Sequence, residues 1–194
     1  DLAIDGTIGL STHGTGSATV VNDAGLNFAA STVGGDLHAT ATTGNMTQSG
    51  ALDIEGTTTL ITSADDATIS LGTSSNAFTG ALQITTNDSG SDTAGDVSIH
   101  GGTTALVIGN STVDGDLTLT STASGAAAIT DTGTLNIRGT TTISASGIDV
   151  TLNSAANNFQ GAVKINGVNV TVVDAGAIDL GVSTVTGTYT LTAG

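Results

Sequence analysis

The chain has 194 residues, and its 17 acidic residues against two Lys or Arg give a formal net charge of −15. So anionic a surface repels phosphate backbones and acidic headgroups, which excludes nucleic-acid binding and electrostatic attachment to membranes as expected functions. The absence of Cys excludes a disulfide scaffold and thiolate metal sites, and no apolar run approaches the roughly 20 residues that a transmembrane helix needs.

Short alternating segments of aliphatic residues follow one another along the chain. Each has the i, i+2 spacing of a strand with one buried face, and Gly, Asn, Asp and Ser clusters between them are typical of turns. No window has the spacing of an amphipathic helix. The predicted strands contain Leu52 and Ile54, Ile69 and Leu71, Leu82 and Ile84, Val97 and Ile99, Leu117 and Leu119, Leu135 and Ile137, Val150 and Leu152, Val163 and Ile165, and Val168, Val170 and Val172.

Internal repetition is the strongest signal in the sequence. Three kinds of block return in the same order: Ser31–Leu37 as Ser111–Leu117 and Ser183–Tyr189, Gly56–Leu60 as Gly139–Ile143, and Asn76–Ile84 as Asn157–Ile165. The period is about 80 residues, which divides into shorter units. We therefore expect one segment, 1–194, built from repeats at approximately 2–81, 82–162 and 163–194, with equivalent residues at the same place in successive layers.

Short strands without helices leave a sandwich, a closed barrel or a solenoid as possible folds. Repetition favours the solenoid, because a coil places equivalent positions above one another. We predict an all-β, right-handed parallel β-helix forming a single elongated stack. With roughly 20 to 25 residues per coil and about 4.8 Å between strands, it would be a rod about 40 Å long. Small residues such as Ala77, Ala81, Ala126 and Ala162 are expected to point into a narrow lumen.

Four segments carry a resemblance to a known group: Gly115–Thr120, Gly139–Ile143, Asn157–Val163 and Asp174–Leu180. They resemble the repeat region of large bacterial surface exoproteins of the filamentous-haemagglutinin and adhesin type. The resemblance implies a secreted protein of the cell surface or extracellular matrix that acts as a structural or adhesive shaft or as a filament-forming subunit. Because exposed coil ends carry unpaired strand edges, we also expect end-to-end or lateral self-association. A receptor or glycan on a host or neighbouring cell is the other expected partner.

The segment Thr86–Asp96 is the most site-like stretch of the sequence. Asp88, Asp92 and Asp96 are carboxylates in an oxygen-rich, Gly-containing loop, and such ligands suit Ca²⁺. The order differs from an EF-hand loop, so a solvated insertion loop is the simpler interpretation. No cofactor other than this possible Ca²⁺ is expected, and calcium-assisted glycan binding is one alternative function.

Ice binding on one face of the coil is a second alternative. Thr-x-Thr pairs could form a flat array, although outward strand positions favour Thr in any case. The pairs are Thr40 and Thr42, Thr57 and Thr59, Thr118 and Thr120, Thr140 and Thr142, and the triplet Thr188, Thr190 and Thr192.

A carbohydrate-active enzyme is the weakest alternative, and we predict no catalytic residues. Glycoside cleavage needs two carboxylates facing each other, whereas Asp65 and Asp66 are adjacent and expected to point apart. Lyase chemistry would use a cation, but Arg138 and Lys164 occupy repeat positions that hold Glu55 and Gln83 in the preceding repeat, which indicates solvent-facing sites. The three histidines, His13, His38 and His100, match no metal-ligand spacing.

Overall fold

The computed structural model describes residues 3–90, 93–125 and 128–194, and these residues form a coil of parallel strands. Every pairing between the 24 strands, numbered in chain order, is parallel. The predicted all-β parallel solenoid is therefore confirmed, while its hand stays a prediction. No helix able to span a membrane occurs among the described residues.

One sheet runs the length of the stack and contributes one strand to each of nine coils. Its register partners lie between 18 residues apart, as for Asn166 and Thr184, and 28 apart, as for Ile69 and Val97. In order, its strands are β1 (Thr7–Ile8), β3 (Leu26–Phe28), β6 (Met46–Gln48), β9 (Ile69–Leu71), β12 (Val97–His100), β15 (Leu117–Thr120), β18 (Thr141–Ser144), β21 (Val163–Gly167) and β23 (Thr184–Val185).

The second long sheet also extends from the first coil to the last. Its main path is β2 (Ala18–Asn22), β5 (Leu37–Ala41), β8 (Thr58–Asp65), β11 (Ala81–Asn87), β13 (Leu106–Ile108), β16 (Ala128–Asp131), β19 (Asp149–Leu152), β22 (Val170–Asp174) and β24 (Tyr189–Ala193). Off this path lie β14 (Ser111–Val113), β17 (Leu135–Ile137) and β20 (Asn158–Phe159). A third, three-stranded sheet contains β4 (Ser31–Val33), β7 (Leu52–Ile54) and β10 (Ala77–Phe78).

The long sheet branches at β11. Leu82 of this strand pairs with Ile108 of β13, whereas Thr85 pairs with Thr112 of β14. A bend at Gly109 and Asn110 separates β13 from β14. The single seven-residue strand β11 is therefore followed, in the next coil, by two short strands. The three-stranded sheet ends at the same level, and the outline of the coil therefore changes at the fifth coil.

Aliphatic side chains and three phenylalanines fill the interior. The alternating residues of each strand point inward, and Phe28, Phe78 and Phe159 are among the largest fully buried side chains. The expectation for the alanines was wrong where it can be checked. Ala77, Ala81 and Ala162 are only partly buried, because their strand neighbours Phe78, Leu82 and Val163 take the inward positions, and Ala126 lies outside the described residues.

The sequence repeat is out of phase with the coil, which corrects the expectation of equivalent places in successive layers. The second to seventh coils hold three strands each and the eighth holds two, whereas β15 is the tenth strand after its sequence equivalent β5. Consequently β5 is the third strand of its coil and β15 the first. The strand that begins at Tyr189, β24, is the second of its coil. The physical reason is that about 80 residues is not a whole number of these coils.

Candidate functional site

An ion pair holds the loop between β11 and β12 against a coil two turns further on. Asp88 has a fully buried side chain, and its Oδ2 lies 2.9 Å from Nη1 of Arg138, which is 29% exposed. The guanidinium also donates from Nη2 to the carbonyl oxygen of Gly90 at 3.3 Å. Since a buried carboxylate without a partner is costly, Arg138 compensates the charge of this loop.

Two further carboxylates approach Asp88, which corrects the expectation that Asp65 and Asp66 point apart. A carboxylate oxygen of each of the three lies within 4.8 Å of the others. Asp65 ends β8, and Asp66 adopts a φ of 60° in the following turn, so the alternation of an extended strand no longer holds there.

Ser89 binds the Asp65 carboxylate through two hydrogen bonds. Its backbone N–H donates to Oδ1 at 2.5 Å and its hydroxyl to Oδ2 at 2.9 Å. The backbone bond first, and then the hydroxyl, hold the pKa of the fully exposed Asp65 carboxyl below its ordinary value, because both favour the charged form.

The predicted calcium ligands are only partly brought together. The close carboxylate group among the described residues includes Asp88 but not Asp96, and Asp92 lies outside those residues. Asp96 instead accepts the backbone N–H of Asp116 through Oδ1 at 2.8 Å. Calcium binding by Asp88, Asp92 and Asp96 stays a prediction.

Asp and Asn side chains at the corners of the coil form hydrogen bonds with the backbone of a neighbouring coil. Asp36 Oδ1 accepts the backbone N–H of Thr57 at 2.8 Å, and its repeat equivalent Asp116 accepts that of Thr140 at 2.6 Å. The same contact recurs at other corners, with Asn45 and Thr68, Asn110 and Thr134, Asp131 and Asn153, Asp149 and Asn169, and Asn169 and Thr188. These side chains satisfy backbone donors where the strand ladder is interrupted.

Two buried asparagines perform the same task inside the wall. Asn76 Oδ1 accepts the backbone N–H of Leu52 at 2.9 Å, and its repeat equivalent Asn157 accepts that of Leu135 at 2.9 Å. Both amides are buried, so these hydrogen bonds remove the cost of leaving backbone N–H groups unpaired.

Sequence analysis missed a set of three structural serines. Each occupies the first place of a Ser-Thr-Val block, accepts a backbone N–H from the preceding coil and donates to the carbonyl two residues before it. The pairs of distances are 3.0 and 2.9 Å for Ser31 with Leu10 and Ala29, 3.1 and 3.1 Å for Ser111 with Ile84 and Gly109, and 3.0 and 3.4 Å for Ser183 with Ile165 and Gly181. The signal was present, because each serine shares the inward i, i+2 face with the following Val.

None of the three histidines belongs to the close group of metal-ligand side chains found among the described residues. His13 and His38 are exposed, and His100 Nδ1 accepts the backbone N–H of Gly102 at 2.9 Å. Lys164 is exposed as expected, but Arg138 is engaged by Asp88, so the expectation of a plain solvent-facing position was wrong for Arg138.

The predicted threonine pairs do not form one flat array, because they are divided between two sheets. Thr40 and Thr59 lie in the branched sheet, whereas Thr118 and Thr120 lie in the nine-stranded sheet. Two shallow surface grooves also lack the pair of carboxylates that glycoside cleavage needs. The groove beside the first coils has Asp5 as its one carboxylate, and the groove around Lys164 has none.

The fold and these contacts define a repetitive β-solenoid of a kind that suits a structural or binding role. A family described as "Repeats of unknown function (DUF5649)" matches residues 15–85, 94–166 and 167–194, and the chain belongs to this family. No curated protein and no solved structure matches the chain.

Proposed function

We propose that the chain is a structural or adhesive shaft of a secreted bacterial protein on the cell surface or in the extracellular matrix. It provides reach and displays adhesive segments to a receptor or glycan on a host or neighbouring cell. The observation that carries the proposal is the use of polar side chains: corner Asp and Asn and the block serines bind the backbone of adjacent coils. These residues stabilise a long stack, and stacking is what a shaft requires.

The same contacts support a non-catalytic role. Asp88 is paired with Arg138, Asp65 accepts two hydrogen bonds from Ser89, and Asp36 and Asp116 bind backbone donors. Carboxylates engaged in this way are unsuited to serve as a free acid and base pair across a sugar.

End-to-end association of shafts is part of the proposal. The inward side chains of the last coil, among them Val185, Tyr189 and Leu191, are only partly buried, as are Ile8 and Leu10 in the first coil. An unpaired strand edge beside apolar side chains is a template for another strand. A second shaft, or a further coil of the same chain, would cover both.

The test compares three proteins by electron microscopy and light scattering over a range of concentrations. The proposal expects the parent chain to form assemblies longer than one rod of about 43 Å, which is nine coils at about 4.8 Å. Leu191→Lys, which places a charge on the inward side of β24, is expected to leave single rods. Thr190→Lys, on the outward side of the same strand, is expected to assemble like the parent. Single rods for the parent at every concentration, or equal assembly of both variants, would overturn end-to-end association.

Adhesion requires its own measurement. Beads coated with the chain are expected to attach to cells or glycan-bearing surfaces more than beads coated with Asp- and Thr-rich unstructured peptide. Equal attachment of the two kinds of bead would contradict adhesion and leave only the structural role of the shaft.

A further inference from the structure

One extra residue interrupts the nine-stranded sheet between the eighth and ninth coils. Val163 pairs with Leu180, whereas Asn166 pairs with Thr184, so three steps along β21 face four steps along the next coil. A bulge of this kind turns a side chain away from the regular alternation of a strand. Val182 lies within the bulge and is 92% exposed, so an aliphatic side chain projects from the surface at this point.

The bulge is a feature of the repeat, because an earlier Ser-Thr-Val block has it too. Leu82 pairs with Ile108 and Thr85 with Thr112, so one extra residue again enters the following coil. Asn110 is the exposed residue of that earlier bulge. In both copies the hydroxyl of the block serine accepts the backbone N–H that lies opposite the bulge. The backbone of the two bulges is therefore alike, while their outward side chains differ.

Lys164 is the outward residue of β21 that lies opposite the later bulge, and its equivalent at the earlier bulge is Gln83. A glycine of the following coil makes room for the long side chain in both places. A Cβ at Gly181 would clash with Cγ of Lys164, and a Cβ at Gly109 would lie 2.8 Å from Cγ of Gln83. The side chain of Lys164 therefore lies across the next coil, beside the exposed aliphatic residue of the bulge.

The groove around Lys164 combines one cation with neutral polar groups. Of the two Lys or Arg residues in the sequence, Arg138 is held by Asp88, whereas Lys164 forms no ion pair with a described residue. The groove has no carboxylate among its lining residues, and its other polar side chains are those of Thr142, Ser144, Asn166 and Thr184. An ammonium group suits a carboxylate, and hydroxyl and amide groups both donate to and accept from the hydroxyls of a ligand.

We propose that the groove around Lys164 binds an acidic sugar with a single carboxylate, at the end of a glycan. Lys164 pairs with the carboxylate, the hydroxyl and amide side chains bind the sugar hydroxyls, and Val182 contacts the C–H groups of the ring. A glycan with many negative charges is a poorer ligand, because the net charge of −15 repels it. The inference rests on the adhesive part of the proposed function and gives the chemical class of its ligand.

Saturation-transfer difference NMR with D-glucuronic acid tests the site, and it serves for single shafts and assemblies alike. At neutral pH and constant ionic strength, the parent chain is expected to bind glucuronic acid more tightly than glucose, which lacks the carboxylate, or acetate, which lacks the hydroxyls. Lys164→Gln introduces the side chain of the equivalent bulge. It is expected to weaken the binding of glucuronic acid by about threefold to fivefold, as the loss of an exposed ion pair would.

The charge control combines Lys164→Gln with Thr190→Lys, which restores the net charge but places the lysine beside Thr171 in the other long sheet. This variant is expected to bind glucuronic acid as weakly as Lys164→Gln alone. Recovery of binding in the control, equal binding of acetate and glucuronic acid, or no saturation transfer to glucuronic acid in the parent would each overturn the site. Loss of bead attachment with glucuronic acid binding retained would instead contradict adhesion. Far-UV circular dichroism confirms that each variant is folded.

Discussion

Arg138 and Asp88 form an ion pair between side chains that are 50 residues apart, with Nη1 and Oδ2 separated by 2.9 Å. The pair joins the sixth coil to the loop that follows the fourth. Together with the hydrogen bond from Nη2 to the Gly90 carbonyl oxygen, it spans two layers of the stack, whereas the corner Asp and Asn contacts described above connect neighbouring layers.

Replacement of Arg138 by Met keeps the apolar stem but leaves the Asp88 carboxylate buried without its partner. We expect the free energy of unfolding to fall by about 1–3 kcal/mol, less than for a fully buried pair because the guanidinium is partly exposed. Urea unfolding followed by circular dichroism measures the change. Lys164→Met, at an exposed cation, is the control and should shift the value by no more than about 0.5 kcal/mol. Equal effects of the two variants would contradict the structural role of Arg138.

Ser111→Ala removes the acceptor for the backbone N–H of Ile84 and the donor to the carbonyl of Gly109. Because Ser111 is buried, we expect a loss of about 1–3 kcal/mol in the free energy of unfolding. Hydrogen exchange should be faster at the amide of Ile84 in particular. Ser98→Ala, at an exposed outward position, should leave both quantities close to those of the parent. Unchanged protection of Ile84 in Ser111→Ala would count against the hydrogen bond.

Thr141→Val is expected to stabilise the protein. The Oγ1 of Thr141 is buried without a hydrogen-bond partner among the described residues, and the side chain lies between Leu117 and Val163. An unpaired buried hydroxyl is costly, so a β-branched apolar replacement should raise the free energy of unfolding by about 1 kcal/mol.

Thr58, the repeat equivalent, has the same orphaned hydroxyl between Leu37 and Leu82, and Thr58→Val should behave alike. The control is Thr142→Val on the outward side of the strand, where no gain is expected. Destabilisation by both inward variants would show that the hydroxyls have partners.

Ser89→Ala should raise the pKa of Asp65 towards its ordinary value, because the hydroxyl that favours the carboxylate is removed while the backbone bond remains. The lowered pKa means that ionised Asp65 favours the folded state above the ordinary carboxyl pKa of about 3.9. This contribution is lost as the pH falls through the lowered value. Carboxyl ¹³C chemical shifts recorded between acid and neutral pH measure the change, with Ser98→Ala as control. The same Asp65 titration in parent and Ser89→Ala would refute the assignment.

Calcium binding by Asp88, Asp92 and Asp96 predicts a higher melting temperature at millimolar Ca²⁺ than in NaCl of equal ionic strength, because a ligand that binds only the folded state stabilises it. Asp92→Asn should abolish the difference. A melting temperature that does not respond to Ca²⁺ in the parent would remove the calcium hypothesis.

The architecture was accessible from the sequence because its signals are local and repeated. Alternating pairs such as Leu117 and Leu119 indicate strands with one buried face, and the return of the Ser-Thr-Val block indicates a stack. These patterns do not predict how many strands form one coil. The expectation of equivalent places in successive layers was therefore wrong, although the fold class was predicted correctly.

Composition, strand spacing and repetition thus determined the class of fold, since alternation and turn residues act over a few neighbouring residues. Only the tertiary structure decided which residues meet across coils: Arg138 with Asp88, Asp65 and Asp66 with Asp88, and Ser111 with Ile84. These contacts depend on the length of each coil and on the turn at Asp66. Small differences in coil length accumulate along the chain, so local sequence patterns do not predict which residues become neighbours in successive coils.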